Sequence, residues 1–190
     1  MTQVIASSGP LTVNDLREVQ PGIYYTDRDV VSADQTVINV LKEAARTLPI
    51  RRARLCAHPT PDALQQDMLI VSHRDTYVAP HRHLTKSETM IVLEGEADAY
   101  FFDEAGTLEN IVPMGSLASG RTYFYRMPAG RFHSLRITSE LLVFVEGTLG
   151  PFVRSESENA PWAPAADDAE KGHAYLARLH EQYEASRRKP

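Results

Sequence analysis

The sequence predicts an all-β, single-domain barrel or jelly roll flanked by one helix on each side. Three observations carry that expectation. Between about residues 51 and 147, apolar residues recur at period two in short runs rich in Val, Ile, Tyr and Phe. Gly, Pro and Asp separate the runs, as turns do in antiparallel sheets. Helical spacing occurs only outside this region, before residue 49 and after residue 167. Nine short strands with no helix among them satisfy their edges by closing on one another. The 190-residue length suits one domain with a real core.

Taken in order, residues 1–31 read as an irregular N-terminal arm containing Pro10 and Pro21. Ser32 followed by Gln35 has the form of a capping box, and Val37, Val40, Leu41, Ala44, Ala45 and Leu48 then mark a helix up to Pro49. Strands are expected at 52–57, 67–73, 76–83, 88–94, 96–103, 107–112, 122–127, 132–138 and 141–147, with a turn at Asp103–Gly106. Residues 32–154 therefore form a helix plus a β-barrel. Residues 155–190 are a polar linker and a closing helix packed on the same domain. Trp162 should anchor the linker, and Asp167 with Glu170 marks the helix start. Leu176, Leu179 and Tyr183 supply its apolar face.

Composition narrows the function. Hydrophobic residues make up 43% and charged residues 24%, with a net charge of −5 and a pI near 5.8. The one basic cluster, Arg187-Arg188-Lys189, reads as a solvated tail, so neither nucleic acid nor a membrane is the expected partner. Cys56 is the single cysteine, which excludes an intrachain disulfide and suits a reducing compartment. No signal-peptide pattern opens the sequence and no run of eighteen apolar residues occurs, so the expected location is cytoplasmic.

The chemistry concentrates in YVAPHRHLTKSETMIVLEGE. His81 and His83 are two apart, so on a strand both imidazoles face the same side. Glu88 opens the next strand, Gly95 permits its reversal, and a distant Pro128-Ala129-Gly130 turn delivers His133. Three imidazoles and one carboxylate suit a divalent first-row ion, with Fe, Mn, Ni, Co, Cu and Zn all acceptable.

These residues resemble the two motifs of the cupin superfamily. His81, His83, Glu88 and Gly95 fill the first, and Pro128, Gly130 and His133 the second. Asp75, Thr122 and Ile137 depart from the pattern at two leading glycines and a trailing asparagine; none of the three is a ligand position. Over about residues 24–165 the chain is also similar to the WbuC-type cupin metalloproteins, in the stretch from RRARLCAHPTPD to FFDEAG and in the later GPF and APWAP. The resemblance implies a cupin double-stranded β-helix, one bound metal ion and a homodimer. It also implies an association with polysaccharide biosynthesis, but no particular substrate.

Other residues are candidates for the pocket. Arg52, Arg54, Cys56 and His58 share one strand face, either as a polar wall meeting substrate oxyanions or as a charged edge strand. Lys86 sits in the turn between the histidines and Glu88, and Tyr77 has the strand parity of His81 and His83. Tyr100, Phe102, Tyr123 and Tyr125 are barrel packing or pocket wall. No general acid or base stands out. Such a site suits Lewis-acid isomerase, epimerase or lyase chemistry on a small oxygen-rich, saccharide-related molecule. Alternatives are an iron-dependent dioxygenase or a non-catalytic metal- or sugar-binding module.

Overall fold

Residues 9–188 are described by a computed structural model, so the start of the predicted arm and Lys189 lie outside the described residues. The strands are β1 (Arg17–Gln20), β2 (Ile23–Tyr25), β3 (Arg52–Cys56), β4 (Gln65–His73), β5 (His81–His83) and β6 (Glu88–Glu94). They continue with β7 (Glu96–Phe102), β8 (Leu108–Gly115), β9 (Phe124–Met127), β10 (Phe132–Ile137), β11 (Leu141–Leu149) and β12 (Ser157–Asn159). Helices α1 (Gln35–Thr47) and α2 (Ala169–Arg187) flank them.

The strands form two sheets, one ordered β1-β2-β3-β4-β11-β6-β9 and the other β12-β5-β10-β7-β8. From β4 to β11 the chain crosses back and forth between them, which gives the two interleaved four-stranded sheets of a jelly roll. This is the cupin-type jelly roll, built as two facing sheets rather than one closed ring of hydrogen bonds. Each of the nine expected strands is present. The expected strand at 76–83 shrinks to His81–His83, because Pro80 has no N–H to give to a ladder.

Two expectations change. Residues 17–25, read as part of an irregular arm, form a hairpin that extends the first sheet, with Ile23 and Tyr24 pairing in parallel with Arg54 and Leu55. The β1 side chains are all exposed, so no apolar alternation marked the strand. Helix α1 begins two residues later than the Ser32 reading, on Asp34, whose carboxylate accepts from the Thr36 N–H at 2.8 Å. Ser32 instead donates its hydroxyl to the Gly9 carbonyl. The closing helix likewise starts on Asp168 rather than Asp167, with the Asp168 carboxylate accepting from the Lys171 N–H.

Strand alternation divides the core into three layers. Met68, Ile70, Met90, Val92, Ala97, Ala99, Leu142 and Phe144 fill the space between the sheets. Behind the first sheet, Val37, Leu41 and Ala45 of α1 are fully buried against Ala53, Leu55, Val71 and Val143. Burying side chains such as Val37 and Leu41 contributes about 1.5–3 kcal/mol each. Outside the second sheet, Leu176 of α2 packs on Tyr100, Phe102 and Phe132, with Leu179 and Tyr183 beside it. Trp162 anchors the linker there, its ring 5.0 Å from Phe102 and 5.6 Å from Phe132. Helices thus cover the outer face of the β3-β4-β11 part of the first sheet and of the second sheet, while polar groups gather at one end of the space between the sheets.

Candidate metal centre

The polar end of the interior is made by β5, β6 and β10. β10 pairs with β5 so that His133 lies directly opposite His81, and His83 follows two residues on, facing the same side. The ligating atoms of His81, His83 and His133 all lie within 4.8 Å of one another. The Glu88 carboxylate sits among them, 3.2 Å from His83 Nε2 and 3.8 Å from His133 Nε2. The opening of β6 places Glu88 there: its inward alternation with Met90 and Val92 turns the carboxylate toward the histidines.

Backbone acceptors set the imidazole tautomers. His81 Nδ1 lies 2.9 Å from the Ala79 carbonyl, and His133 Nδ1 lies 3.0 Å from the Arg131 carbonyl. A carbonyl oxygen only accepts, so each Nδ1 carries the proton and each Nε2 keeps its lone pair for the centre. His83 Nδ1 meets the Ser157 hydroxyl at 3.0 Å, a contact delivered by β12 pairing with β5.

Burial pushes His81 down to about 3, with the neighbouring His133 adding to the effect, and burial lowers His133 as well. Both are therefore neutral and ready to coordinate. His83 is raised, first by its hydrogen bond to Glu88. Burial opposes the charge on Glu88, but the His83 hydrogen bond and the three imidazoles together hold its carboxyl well below the usual range. The set consists of two neutral imidazoles with fixed Nε2 lone pairs, a third paired with a carboxylate, and that carboxylate. A divalent ion fits this donor chemistry and would keep a net charge near +1.

The remaining candidates divide. Arg52, Arg54 and Cys56 face inward, while Ala53 and Leu55 between them face α1. The edge-strand reading of the arginines is overturned, because β3 lies between β2 and β4. His58 is buried, with Nδ1 3.2 Å from the Asp67 carbonyl and its ring edge-on to Tyr25 at 5.7 Å. Burial lowers its pKa, and the Arg54 charge adds to that. Lys86 donates its amine to the Pro151 carbonyl and lies near enough for its charge to oppose a proton on His83.

Tyr77 is a correction. It does not look into the interior; its hydroxyl donates to the Pro164 carbonyl at 3.1 Å and its ring packs on Gly172 and His173 of α2. The strand parity counted back from His81 fails because Pro80 interrupts the strand, and Val78 rather than Tyr77 joins the inner core.

Two residues of the site carried no assigned role in the sequence reading. Tyr125, expected as barrel packing or pocket wall, donates its hydroxyl to Glu88 Oε1 at 3.0 Å. Glu146 lies on β11 in the same alternation as Leu142 and Phe144, so it also faces inward. Burial raises its pKa and the nearby Glu88 raises it further, against the lowering charges of Arg52, His83 and Arg54. A charged residue at an inward position of an apolar strand was the available signal.

The model of a family described as a domain of unknown function (DUF6016) matches residues 33–114. No curated protein matches. Among solved structures, CapF, a capsular polysaccharide assembling protein from Staphylococcus aureus, is 17% identical, with a TM-score of 0.48 over 60% of this chain and 33% of its own. Oxalate decarboxylase from Bacillus subtilis is also 17% identical, with a TM-score of 0.45 over 57% of this chain and 27% of its own. This chain thus spans about a third or less of the length of either protein. No described helix is long and apolar enough to cross a membrane. The chain's own topology and donor set show a cupin-type jelly roll with a three-histidine group able to hold a metal ion.

Proposed function

We propose that His81, His83, Glu88 and His133 hold one divalent metal ion, and that the protein is an enzyme acting on a small oxygen-rich, saccharide-related molecule. The observation that carries the reading is the convergence of three imidazoles within 4.8 Å, two of them with Nε2 left free by a backbone acceptor, around the Glu88 carboxylate. The resemblance to the WbuC-type cupins supports the saccharide class. A bound ion supplies Lewis-acid polarisation of a carbonyl or vicinal diol. The protein's own groups do the rest. Tyr125 fixes one oxygen of Glu88 by hydrogen bonding, and Glu146, an inward carboxyl on β11 beside Glu88 and His83, is the group placed to exchange a proton with a bound molecule.

The test is a screen of metal-loaded protein against sugar nucleotides and sugar acids, reading both binding and conversion. Binding with turnover is expected. Neither binding nor conversion in any metal form overturns the reading, and binding without turnover in every metal form replaces it with a non-catalytic module. Native iron together with substrate-dependent oxygen uptake would move the activity to a dioxygenase. The homodimer belongs to the same proposal and is supported by Ile91, Leu93 and Phe124, which stay exposed on the outer face of β6 and β9. A monomer by sedimentation equilibrium would contradict it.

A further inference from the structure

Two cations face the interior of the jelly roll without a carboxylate bound to either. Arg52 and Arg54 project from β3 into the space between the sheets, on the same face as Cys56 of the inner core. No described carboxylate lies within salt-bridge distance of either guanidinium, unlike Arg136, which faces Asp98 at 3.9 Å. The Nε of Arg54 is buried from solvent and has no hydrogen-bond partner at all. A buried nitrogen left without a partner is costly to the fold, and two like charges side by side on one inner face call for a compensating anion.

The position of the pair connects it to the metal centre. β3 pairs with β4, β4 with β11 and β11 with β6, so the arginines and Glu88 lie on the same inner face of one sheet. Glu146 stands between them on β11, where it feels the charges of Arg52, Arg54, His83 and Glu88. Arg52, Arg54, His83 and Glu146 all point inward yet remain only half-buried, so solvent reaches this end of the interior. With a divalent ion in place, the charges are two from the metal, one from each arginine, and minus one each from Glu88 and an ionised Glu146. The interior is left with a net positive charge and planar guanidinium forks to direct it.

We propose that Arg52 and Arg54 form an oxyanion subsite, so that the substrate carries a carboxylate or phosphate monoester at one end and a metal-binding oxygen at the other. This rests on the metal reading above and narrows its substrate class to anionic saccharide derivatives, such as sugar acids or sugar phosphates. A neutral sugar would leave both guanidiniums uncompensated.

The experiment uses the full chain without metal, so that anions cannot be captured by the ion, with inorganic phosphate and acetate as probes followed by calorimetry or NMR. Wild type, Arg54→Met, Arg54→Lys, Arg52→Met and His83→Ala are compared. The expected result is saturable binding of at least one anion, weakened at least tenfold in Arg54→Met and Arg52→Met and partly kept in Arg54→Lys. The better-bound probe assigns the group as phosphate or carboxylate. The melting temperature of Arg54→Met should hold or rise, since an unpaired buried charge is gone. No saturable binding of either anion, or binding that survives in both Met variants, overturns the subsite. A lower melting temperature in Arg54→Met with anion binding intact overturns it in favour of a structural role. Failure of the metal reading shows separately, as unchanged metal uptake in His83→Ala.

Discussion

Substituting Gly172 by alanine tests how α2 is seated and why Tyr77 is not part of the metal centre. A Cβ added at Gly172 would lie 2.5 Å from Tyr77 Cδ1 and closer still to Cε1 and Cζ. The ring cannot step aside freely, because its hydroxyl is tied to the Pro164 carbonyl and it packs in the layer with Leu176 and Trp162. In an isolated helix, alanine would be favoured over glycine by about 1 kcal/mol. Against that, overpacking a filled site costs about 1–3 kcal/mol, and losing the tyrosine hydrogen bond adds about 1 kcal/mol. The net expectation is destabilisation by about 1–3 kcal/mol, or a drop in Tm of roughly 3–10 °C for a chain of this size. Thermal unfolding by circular dichroism reads it, and metal uptake measured alongside should not change, since α2 covers the outer face of the β5-β10-β7-β8 sheet. An unchanged or higher Tm would show that helix propensity wins and that Tyr77 and α2 are not in close contact.

Other substitutions probe separate links. Asp34→Ala removes the cap of α1 and should cost about 1 kcal/mol in denaturant unfolding, whereas Ser32→Ala should cost less than about 0.5 kcal/mol; the reverse order would restore the Ser32 capping box. Asp98 is buried under α2, facing His180 at 3.5 Å and Arg136 at 3.9 Å, with Arg121 and Glu184 further off. Burial, the largest influence, raises its pKa. A carboxyl raised in the folded state favours folding fully below its unfolded pKa, and that contribution is lost as pH rises through the folded value. The Tm of Asp98→Asn relative to wild type should therefore improve from about pH 4 to about pH 7, and a difference that falls over this range would contradict the burial argument. Glu88→Gln keeps the shape of the centre but removes the anionic ligand, so metal affinity should fall at least about tenfold; equal affinity by competition with a chelator would remove Glu88 from the ligand set.

The sequence showed most clearly what repeats. Period-two alternation located all nine expected strands, and the spacing of His81, His83, Glu88 and His133 anticipated their convergence on β5, β6 and β10. What it obscured has particular causes. The β1-β2 hairpin is short, with β1 wholly exposed and all three residues of β2 partly buried on both faces, so burial left no alternation in it. Alternation does not survive a proline, so strand parity misplaces Tyr77: Pro80 ends the ladder, and the inward set shifts from Tyr77 to Val78. The start of α1 was ambiguous because Ser32 and Asp34 can both cap, and the hydroxyl of Ser32 is taken by Gly9. Glu146 was legible by its parity with Leu142 and Phe144, but its meaning depends on Arg52, Arg54 and Glu88 arriving from three other strands, which only the sheet order supplies.

The central claim is that His81, His83, Glu88 and His133 form one metal centre, and the most direct test is metal content by elemental mass spectrometry. Tag-free wild type and His133→Ala would be reconstituted with the same divalent ion, desalted and measured at matched concentration, with circular dichroism confirming equal folding. The account predicts about one equivalent of metal in wild type and a small fraction of that in the variant. Equal metal in both proteins, or no retained metal in either, would contradict it.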